Sequence, residues 1–309
     1  MAHHHPHLGA RIGALRARRQ VNRRRMHVAL AINLAMLAAA LVGGLVWNSL
    51  ALLADAGHVL SDIGAIALGL VAVTLASRRA SARRTFGLQR GEVLAALVNG
   101  LALLAVAVLV VVAAVNRLGD APEIEGAGVL AVGVLGLTGN VAATWVLARG
   151  DRGDLNLEAV LRHSFADALG SLAVVVSGAV ILTTGWAPID ALASLAIAVL
   201  IGVSSIRLVI EPLEVLMEAA PAGVDVEELG EQMCTVSGVR EVHELHVWTV
   251  TAGFDALAAH VVVEGGEDRD RVRHELELVL RERYGIDHTT LQMEEHAPDG
   301  LLQVDTGRV

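Results

Sequence analysis

The stretch LADAGHVLSDIGA, residues 53–65, places three ionisable side chains, Asp55, His58 and Asp62, inside an apolar run. The surrounding residues 26–77 are mostly Ala, Leu, Val, Gly and Ile. A charged group at membrane depth is costly unless it finds partners, and such groups mark functional sites by default. The stretch therefore indicates a membrane helix whose polar groups bind one another or a ligand.

The composition supports a membrane protein. Of the 309 residues, 54% are hydrophobic and 18% are charged, and the mean hydropathy is +0.56. Soluble domains average about 45–50% apolar and about 25% charged residues. Windows of about 20 apolar residues, the length that crosses a bilayer core of roughly 30 Å, predict six spans. They lie near 27–49, 51–77, 91–116, 125–148, 157–183 and 187–210.

Arginines in the short loops orient the six spans. Seven precede the first span, five lie between spans 2 and 3, and two lie between spans 4 and 5. The loops on the other side hold only Arg117. The positive-inside rule then places both termini in the cytoplasm.

The charge is divided unevenly along the chain. Residues 1–212 carry a net +5, whereas residues 213–309 carry a net −14. We therefore expect a His- and Arg-rich cytoplasmic segment over 1–26, a transmembrane domain over 27–212 and a cytoplasmic domain over 213–309. An acidic domain argues against nucleic acid as a partner, since phosphate binding needs a basic surface. The single cysteine, Cys234, excludes an internal disulfide and a thiolate metal cluster.

The acidic part has the pattern of a small α+β domain. A helix near 224–236 precedes two predicted strands, VREVHELHVWTV (239–250) and FDALAAHVVVEG (254–265). RDRVRHELELVLRERYG (269–285) has helical spacing and ends on Gly, and TTLQME (289–294) is a last short strand. The order α-β-β-α-β predicts a mixed sheet.

Two matching pairs of ligand-type side chains occur within the spans. His58 and Asp62 are four residues apart and share a helix face, and His163 and Asp167 repeat this spacing in span 5. Both aspartates lie roughly 15–17 Å deep, near the middle of the bilayer core. Two imidazoles and two carboxylates suit tetrahedral Zn²⁺, whose charge offsets the carboxylates. The alternative is that these groups only hydrogen-bond the helices together.

The other polar residues of the spans have less specific patterns. Asp55 lies three residues before His58. We predict that it supports the ligands without binding the ion, with an access-path carboxylate or a solvated span end as alternatives. Asn99 and Asn140 are predicted to pack helices rather than to bind metal.

Five stretches resemble, in order, the zinc-transporting branch of the cation diffusion facilitator family: NSLALLADAGHVLSD (48–62), RRTFGLQRGEVLAALVNG (83–100), LRHSFADALGSLAVV (161–175), VHELHVWTV (242–250) and HTTLQMEEH (288–296). The resemblance implies a membrane all-α bundle of six transmembrane helices plus a C-terminal α+β ferredoxin-like cytoplasmic domain. It also implies a homodimer in a bacterial inner membrane that exports Zn²⁺ from the cytoplasm in exchange for protons, with no enzymatic activity.

The resemblance also assigns metal ligands. The transport-site motif falls on His58, Asp62, His163 and Asp167, a set that goes with zinc preference. A regulatory metal site at the dimer contact of the cytoplasmic domain falls on His243, His260 and Glu294, with His288 next. His246 shares the strand face of His243 unless a bulge intervenes, and ordinary surface histidines are the alternative for this domain.

One departure concerns metal capture. Many zinc-transporting members carry a His-rich loop between spans 4 and 5, where this chain has only ARGDRGDLN (148–156). The N-terminal HHHPH (3–7) is a second candidate for capture, with a disordered segment or an expression artefact as the alternatives.

Two other functions use similar residues. A membrane metallohydrolase also needs His and Asp at depth, but HExxH is absent. A membrane-anchored divalent-metal sensor would use the acidic domain alone, and six spans with two ligand pairs exceed what an anchor needs. The phosphate-binding motif GxxxxGK[ST] is also absent, which favours a secondary transporter.

Overall fold

Six helices occupy the positions of the six predicted spans. The structure, a computed structural model, describes residues 31–78, 80–148 and 157–295, with the backbone alone at 143, 146–148 and 157–164. The helices are α1 (Ala31–Val46), α2 (Leu50–Ala76), α3 (Gly91–Gly119), α4 (Gly126–Ala148), α5 (Leu157–Thr184) and α6 (Pro188–Leu216). Among the described residues, α2, α3, α5 and α6 are long and apolar enough to cross a membrane, and α1 and α4 contribute shorter apolar stretches. The predicted helical membrane bundle is confirmed.

The chain divides into two compact units. Among the described residues, the first comprises those within 31–66 and 99–207, and the second comprises those within 67–98 and 208–295. Small side chains let the helices of the first unit pack closely, which matters because lipid supplies no hydrophobic force between helices. A Cβ added at Gly178 of α5 would overlap the backbone of Leu130 on α4. The two helices therefore touch through their backbones.

The second unit contains the predicted α-β-β-α-β order. Its elements are α7 (Val226–Cys234), β1 (Val239–Thr251), β2 (Phe254–Val263), α8 (Arg269–Tyr284) and β3 (His288–Glu294). The central strand β2 pairs antiparallel with β1 and parallel with β3. The mixed sheet and the ferredoxin-like α+β class are confirmed.

Helices α7 and α8 cover one face of this sheet. The buried core consists of Leu229 and Met233 on α7, Val272, Leu276 and Leu280 on α8, and Leu257, Ala259, Val261 and Val263 on β2. Because strand side chains alternate, His260 belongs to the other face. Asp268 caps the start of α8 through the Asp270 N–H, and Gly285, at φ 69°, ends it as predicted.

Candidate metal-transport site and cytoplasmic metal site

Three of the four predicted transport ligands lie together between α2 and α5. His58 Nε2 lies 2.9 Å from Asp167 Oδ1, with the ring N–H donating, although the two residues are 109 positions apart. Asp62 Oδ2 lies 3.9 Å from the same nitrogen. One ligand atom from each residue falls within 4.8 Å of the others. This spacing allows a single ion to bind all three.

Helix α2 positions two of the three clustered residues. His58 and Asp62 are one turn apart on α2, so both side chains face α5. Ser61 of α2 donates to Asn99 Oδ1 of α3 at 3.1 Å, which joins the back of α2 to its neighbour. The three ligand-type residues are half-buried rather than sealed. The three side chains therefore leave part of the cluster uncovered by the described residues of this chain.

Several predicted residues lie outside the described part of the chain. The side chain of His163 is among them, although the backbone of α5 runs through its position. The N-terminal histidine cluster at 3–7 also lies outside the described residues. Their predicted roles stay predictions.

Asp55 lies on α2, three residues before His58, and it is buried. A solvated span end does not fit this burial. The side chain makes no direct hydrogen bond to His58 within the described residues. Its predicted supporting role stays a prediction.

The donor set decides the chemistry available in the first unit. One imidazole nitrogen and carboxylate oxygens suit borderline divalent ions such as Zn²⁺. Binding needs the neutral imidazole and the ionised carboxylates, so protons and metal compete for the same atoms. The same atoms can therefore bind either the metal or protons.

A second cluster lies on the three-stranded sheet of the second unit. His260 Nδ1 is 2.8 Å from Glu294 Oε1, and His243 Nε2 is 3.3 Å from Glu294 Oε2. The two imidazole rings are 5.2 Å apart between centroids. One ligand atom from each of the three residues lies within 4.8 Å of the others. These are the three leading candidates from the sequence, and two nitrogens with a carboxylate fit Zn²⁺.

Strand register explains why the three residues meet. His243 of β1 pairs with His260 of β2, and Glu294 of β3 pairs with Val262 of β2. Cross-strand neighbours on one face lie within reach of long side chains. The cluster therefore depends on all three strands.

Glu244 was missed by the sequence reasoning. Simple alternation would turn it away from His243, yet its Oε2 lies 3.4 Å from His260 Nε2. The register shifts between His243 and His246, and Glu244 has φ 49°, a left-handed conformation typical of a bulge. Without an Asn or Gly at this point, no sequence pattern indicates the bulge.

The charge state of Glu294 suits a ligand. Burial raises the pKa of its carboxyl, but hydrogen bonds from Gln292, His260 and His243 together with the charge on His260 outweigh it. The pKa therefore lies below its usual value. Glu294 is a carboxylate at neutral pH.

Two other histidines of the second unit, His246 and His288, lie apart from this cluster. The His288 ring meets Phe86 and Phe254 edge-on, with centroids 5.7 Å and 5.5 Å apart. His246 is exposed and pairs in register with Ala258. The structure therefore does not bring His288 to Glu294, and its ligand role stays a prediction.

Two long segments match family profiles. Residues 26–217 match the cation efflux transmembrane domain. Residues 221–296 match the cytoplasmic domain of cation efflux proteins. The chain belongs to the cation efflux family. The predicted resemblance to the cation diffusion facilitators is confirmed, as are the prediction of an integral membrane protein and the prediction that it is no enzyme.

Named relatives of the cation efflux family extend over most of the chain. The zinc transporter ZitB of Escherichia coli is 35% identical over 304 residues, 97% of this chain and 95% of the relative. The metal cation efflux system protein CzcD of Cupriavidus metallidurans is 38% identical over 278 residues, 88% and 87% of the two chains. The cadmium, cobalt and zinc/H(+)-K(+) antiporter of Bacillus subtilis is 34% identical over 265 residues, 83% and 84%.

A solved structure also matches. The metal-bound C-terminal domain of the CzcD transporter is 35% identical over 23% of this chain and 99% of that chain, at a TM-score of 0.22.

Proposed function

We propose that this cation efflux protein exports Zn²⁺ from the cytoplasm in exchange for protons, with His58, Asp62, His163 and Asp167 as the transport site. The observation that carries the proposal is the convergence of His58, Asp62 and Asp167 on one point between two membrane helices. His163 lies one turn before Asp167 on α5 and supplies the fourth ligand in the proposal.

The proposed mechanism follows from one site that serves both ions. Ligands bind metal only in their deprotonated forms, so Zn²⁺ displaces protons from the His58 imidazole when it binds. The Asp62 and Asp167 carboxylates bind the same ion. When the bundle opens to the other side, protons displace Zn²⁺ and return through the same groups. Alternating access of this kind is ordinary for secondary transporters.

The names of the relatives support the choice of cargo. All three are named for metal efflux, metal transport or metal antiport, and two of them name zinc. One relative is also named for cadmium and cobalt, so other divalent ions are secondary candidates. Its name gives H(+) together with K(+), which agrees with protons as one of the counter-ions.

Orientation and assembly belong to the same proposal. The arginine-rich loops favour cytoplasmic termini, in the inner membrane of a bacterium. We propose a homodimer whose acidic cytoplasmic domains meet, with Zn²⁺ at His243, His260 and Glu294 of each copy acting as a regulatory ion. Three protein ligands leave one tetrahedral position for water or for a side chain of the second copy.

Zinc flux into sealed vesicles tests the transport proposal. The purified full-length protein is reconstituted with a zinc-sensitive dye inside, at an acidic interior pH. We expect Zn²⁺ to enter as protons leave, and a protonophore that removes the pH gradient should stop the uptake.

Matched variants identify the site in this assay. Asp167→Asn removes one ligand charge and should abolish the flux, whereas Asp120→Asn changes an exposed carboxylate of the α3–α4 loop and should leave it intact. If Zn²⁺ uptake does not depend on the pH gradient, protons are not the counter-ion. Absence of uptake in the unmodified protein would reject the transport proposal.

A further inference from the structure

Three polar side chains form a second buried cluster beside the transport site. Asp55 of α2 is 8% exposed, Asn140 of α4 is 8% exposed and Ser171 of α5 is 1% exposed. Asn140 Nδ2 donates to Ser171 Oγ at 3.0 Å. The carboxylate, the amide and the hydroxyl therefore come from three different helices.

The Asp55 carboxylate is the unusual member. Within the described residues it accepts no hydrogen bond, although it is more than nine-tenths buried. Attraction to His58 offsets part of the cost of burying a carboxylate without hydrogen bonds, and a bound cation would offset more of it. The apolar packing of α2 alone does not explain it.

Glycines hold space in front of this carboxylate. A Cβ added at Gly170 of α5 would lie 3.4 Å from Asp55 Oδ1. A Cβ at Gly136 of α4 would lie 4.0 Å from Asp55 Oδ2 and 3.4 Å from Ser171 Oγ. The Asp55 carboxylate and the Ser171 hydroxyl therefore both border the space at Gly136, and neither Gly136 of α4 nor Gly170 of α5 fills the space beside the carboxylate with a side chain.

The cluster is displaced from the transport site in one direction. Asp55 precedes His58 by three residues, and Ser171 follows Asp167 by four. Helices α2 and α5 run antiparallel here, so both steps lead toward the same end of the bundle, by about one turn or 5 Å. By the arginine distribution this is the end away from the cytoplasm.

We propose that Asp55, Asn140 and Ser171 form a second cation station, which receives Zn²⁺ from the transport site on its way out. This proposal rests on the proposed zinc export. Oxygen ligands alone bind Zn²⁺ less well than a set with imidazole, so the ion passes to a weaker site. A pathway needs sites that are favourable enough to enter and weak enough to leave.

Flux kinetics in vesicles test the station. Asp55→Asn keeps the shape of the side chain but removes its charge, and we expect about tenfold lower maximal flux with a KM for Zn²⁺ within about threefold of the original. Ser171→Ala should lower maximal flux by about threefold. Ser194→Ala removes an equally buried hydroxyl from α6 and should change neither value.

Equilibrium binding of Zn²⁺ to the full-length protein tests the station directly. In a chain that carries His260→Ala and Glu294→Ala, which lacks the cytoplasmic site, we expect one tight and one weak ion per copy. Asp55→Asn should remove only the weakly bound ion. If Asp55→Asn does not fold, Ser171→Ala replaces it in the experiment and should weaken the binding of that ion.

Other results would overturn the station. Loss of the tight ion in Asp55→Asn would make Asp55 part of the transport site. Normal flux in Asp55→Asn, with both Zn²⁺ ions still bound, would mean that no station exists. Binding of only one Zn²⁺ ion per copy when Asp55 is unchanged would mean the same. Failure of the unmodified protein to move Zn²⁺ would instead reject the export proposal itself.

Discussion

Asp190 accepts a hydrogen bond from the Leu50 backbone N–H at 2.6 Å, so an aspartate of α6 caps the first turn of α2 from 140 positions away. The Ser49 hydroxyl donates to the same carboxylate at 2.6 Å, and Arg117 lies 3.9 Å from it. Helix α2 carries His58 and Asp62. The cap therefore fixes the helix that holds half of the proposed transport site.

Removal of this cap should destabilise the protein. In Asp190→Ala the buried donors of Ser49 and Leu50 lose their acceptor, so we expect a loss of about 3 kcal/mol in the free energy of unfolding. Asp190→Asn keeps one acceptor oxygen and should lose less. Thermal unfolding of the detergent-solubilised protein measures both, and equal stability of Asp190→Ala and the original would contradict the capping role.

The transport ligands give a second prediction. Asp62→Ala or Asp167→Ala removes a charged ligand from the proposed site and should abolish zinc flux. The variants should still elute as dimers in size-exclusion chromatography, since neither side chain belongs to the cytoplasmic sheet. Near-normal transport by either variant would reject the assignment.

Selectivity depends on the chemistry of one ligand. His58→Asp replaces a nitrogen donor by oxygen and adds a negative charge, which should weaken the preference for Zn²⁺ and admit the larger Cd²⁺ more readily. The ratio of Zn²⁺ to Cd²⁺ flux in the same vesicles measures the change. An unaltered ratio would count against His58 as a direct ligand.

Close helix packing gives a matched pair of glycine variants. Gly178→Ala should push α5 away from Leu130 of α4, with a loss of about 1–3 kcal/mol in stability and a lower flux. At Gly202 of α6 an added Cβ meets no described atom within 4 Å. Gly202→Ala should therefore be neutral or slightly stabilising. Similar effects at both positions would mean that the α4–α5 contact is not tight.

The cytoplasmic domain should respond to zinc. Residues 213–309 carry a net −14, so two copies repel within a Debye length of about 8 Å unless cations lie between them. The fragment from residue 213 has its own core and should become more compact or more dimeric with Zn²⁺. Size-exclusion chromatography and the melting temperature report this response.

Two variants identify the residues behind that response. His260→Ala with Glu294→Ala should weaken it, whereas His274→Ala changes an exposed histidine outside the cluster and should not. In the full-length protein the double variant should retain zinc binding at the transmembrane site. If Zn²⁺ changes neither the elution volume nor the melting temperature of the fragment, the domain serves only for dimerisation and has no metal site.

Local patterns in the sequence predicted most of the fold. Apolar length located the six helices of the bundle, because a bilayer sets a minimum length, and within the described residues α2, α3, α5 and α6 reach it. Helical spacing put His58 and Asp62 on one face, and a terminal Gly marked the end of α8. The resemblance to a known family, rather than periodicity, singled out His243, His260 and Glu294.

Only the tertiary structure decided which distant groups meet. Asp190 reaches Leu50, and Asp55 is buried against Gly136 and Gly170, because helices far apart in the chain pack together. The bulge at Glu244 likewise depends on strand pairing rather than on its own residue type. Sequence periodicity determines the face on which a side chain lies, whereas the packing of α2, α4 and α5 determines which groups that face meets.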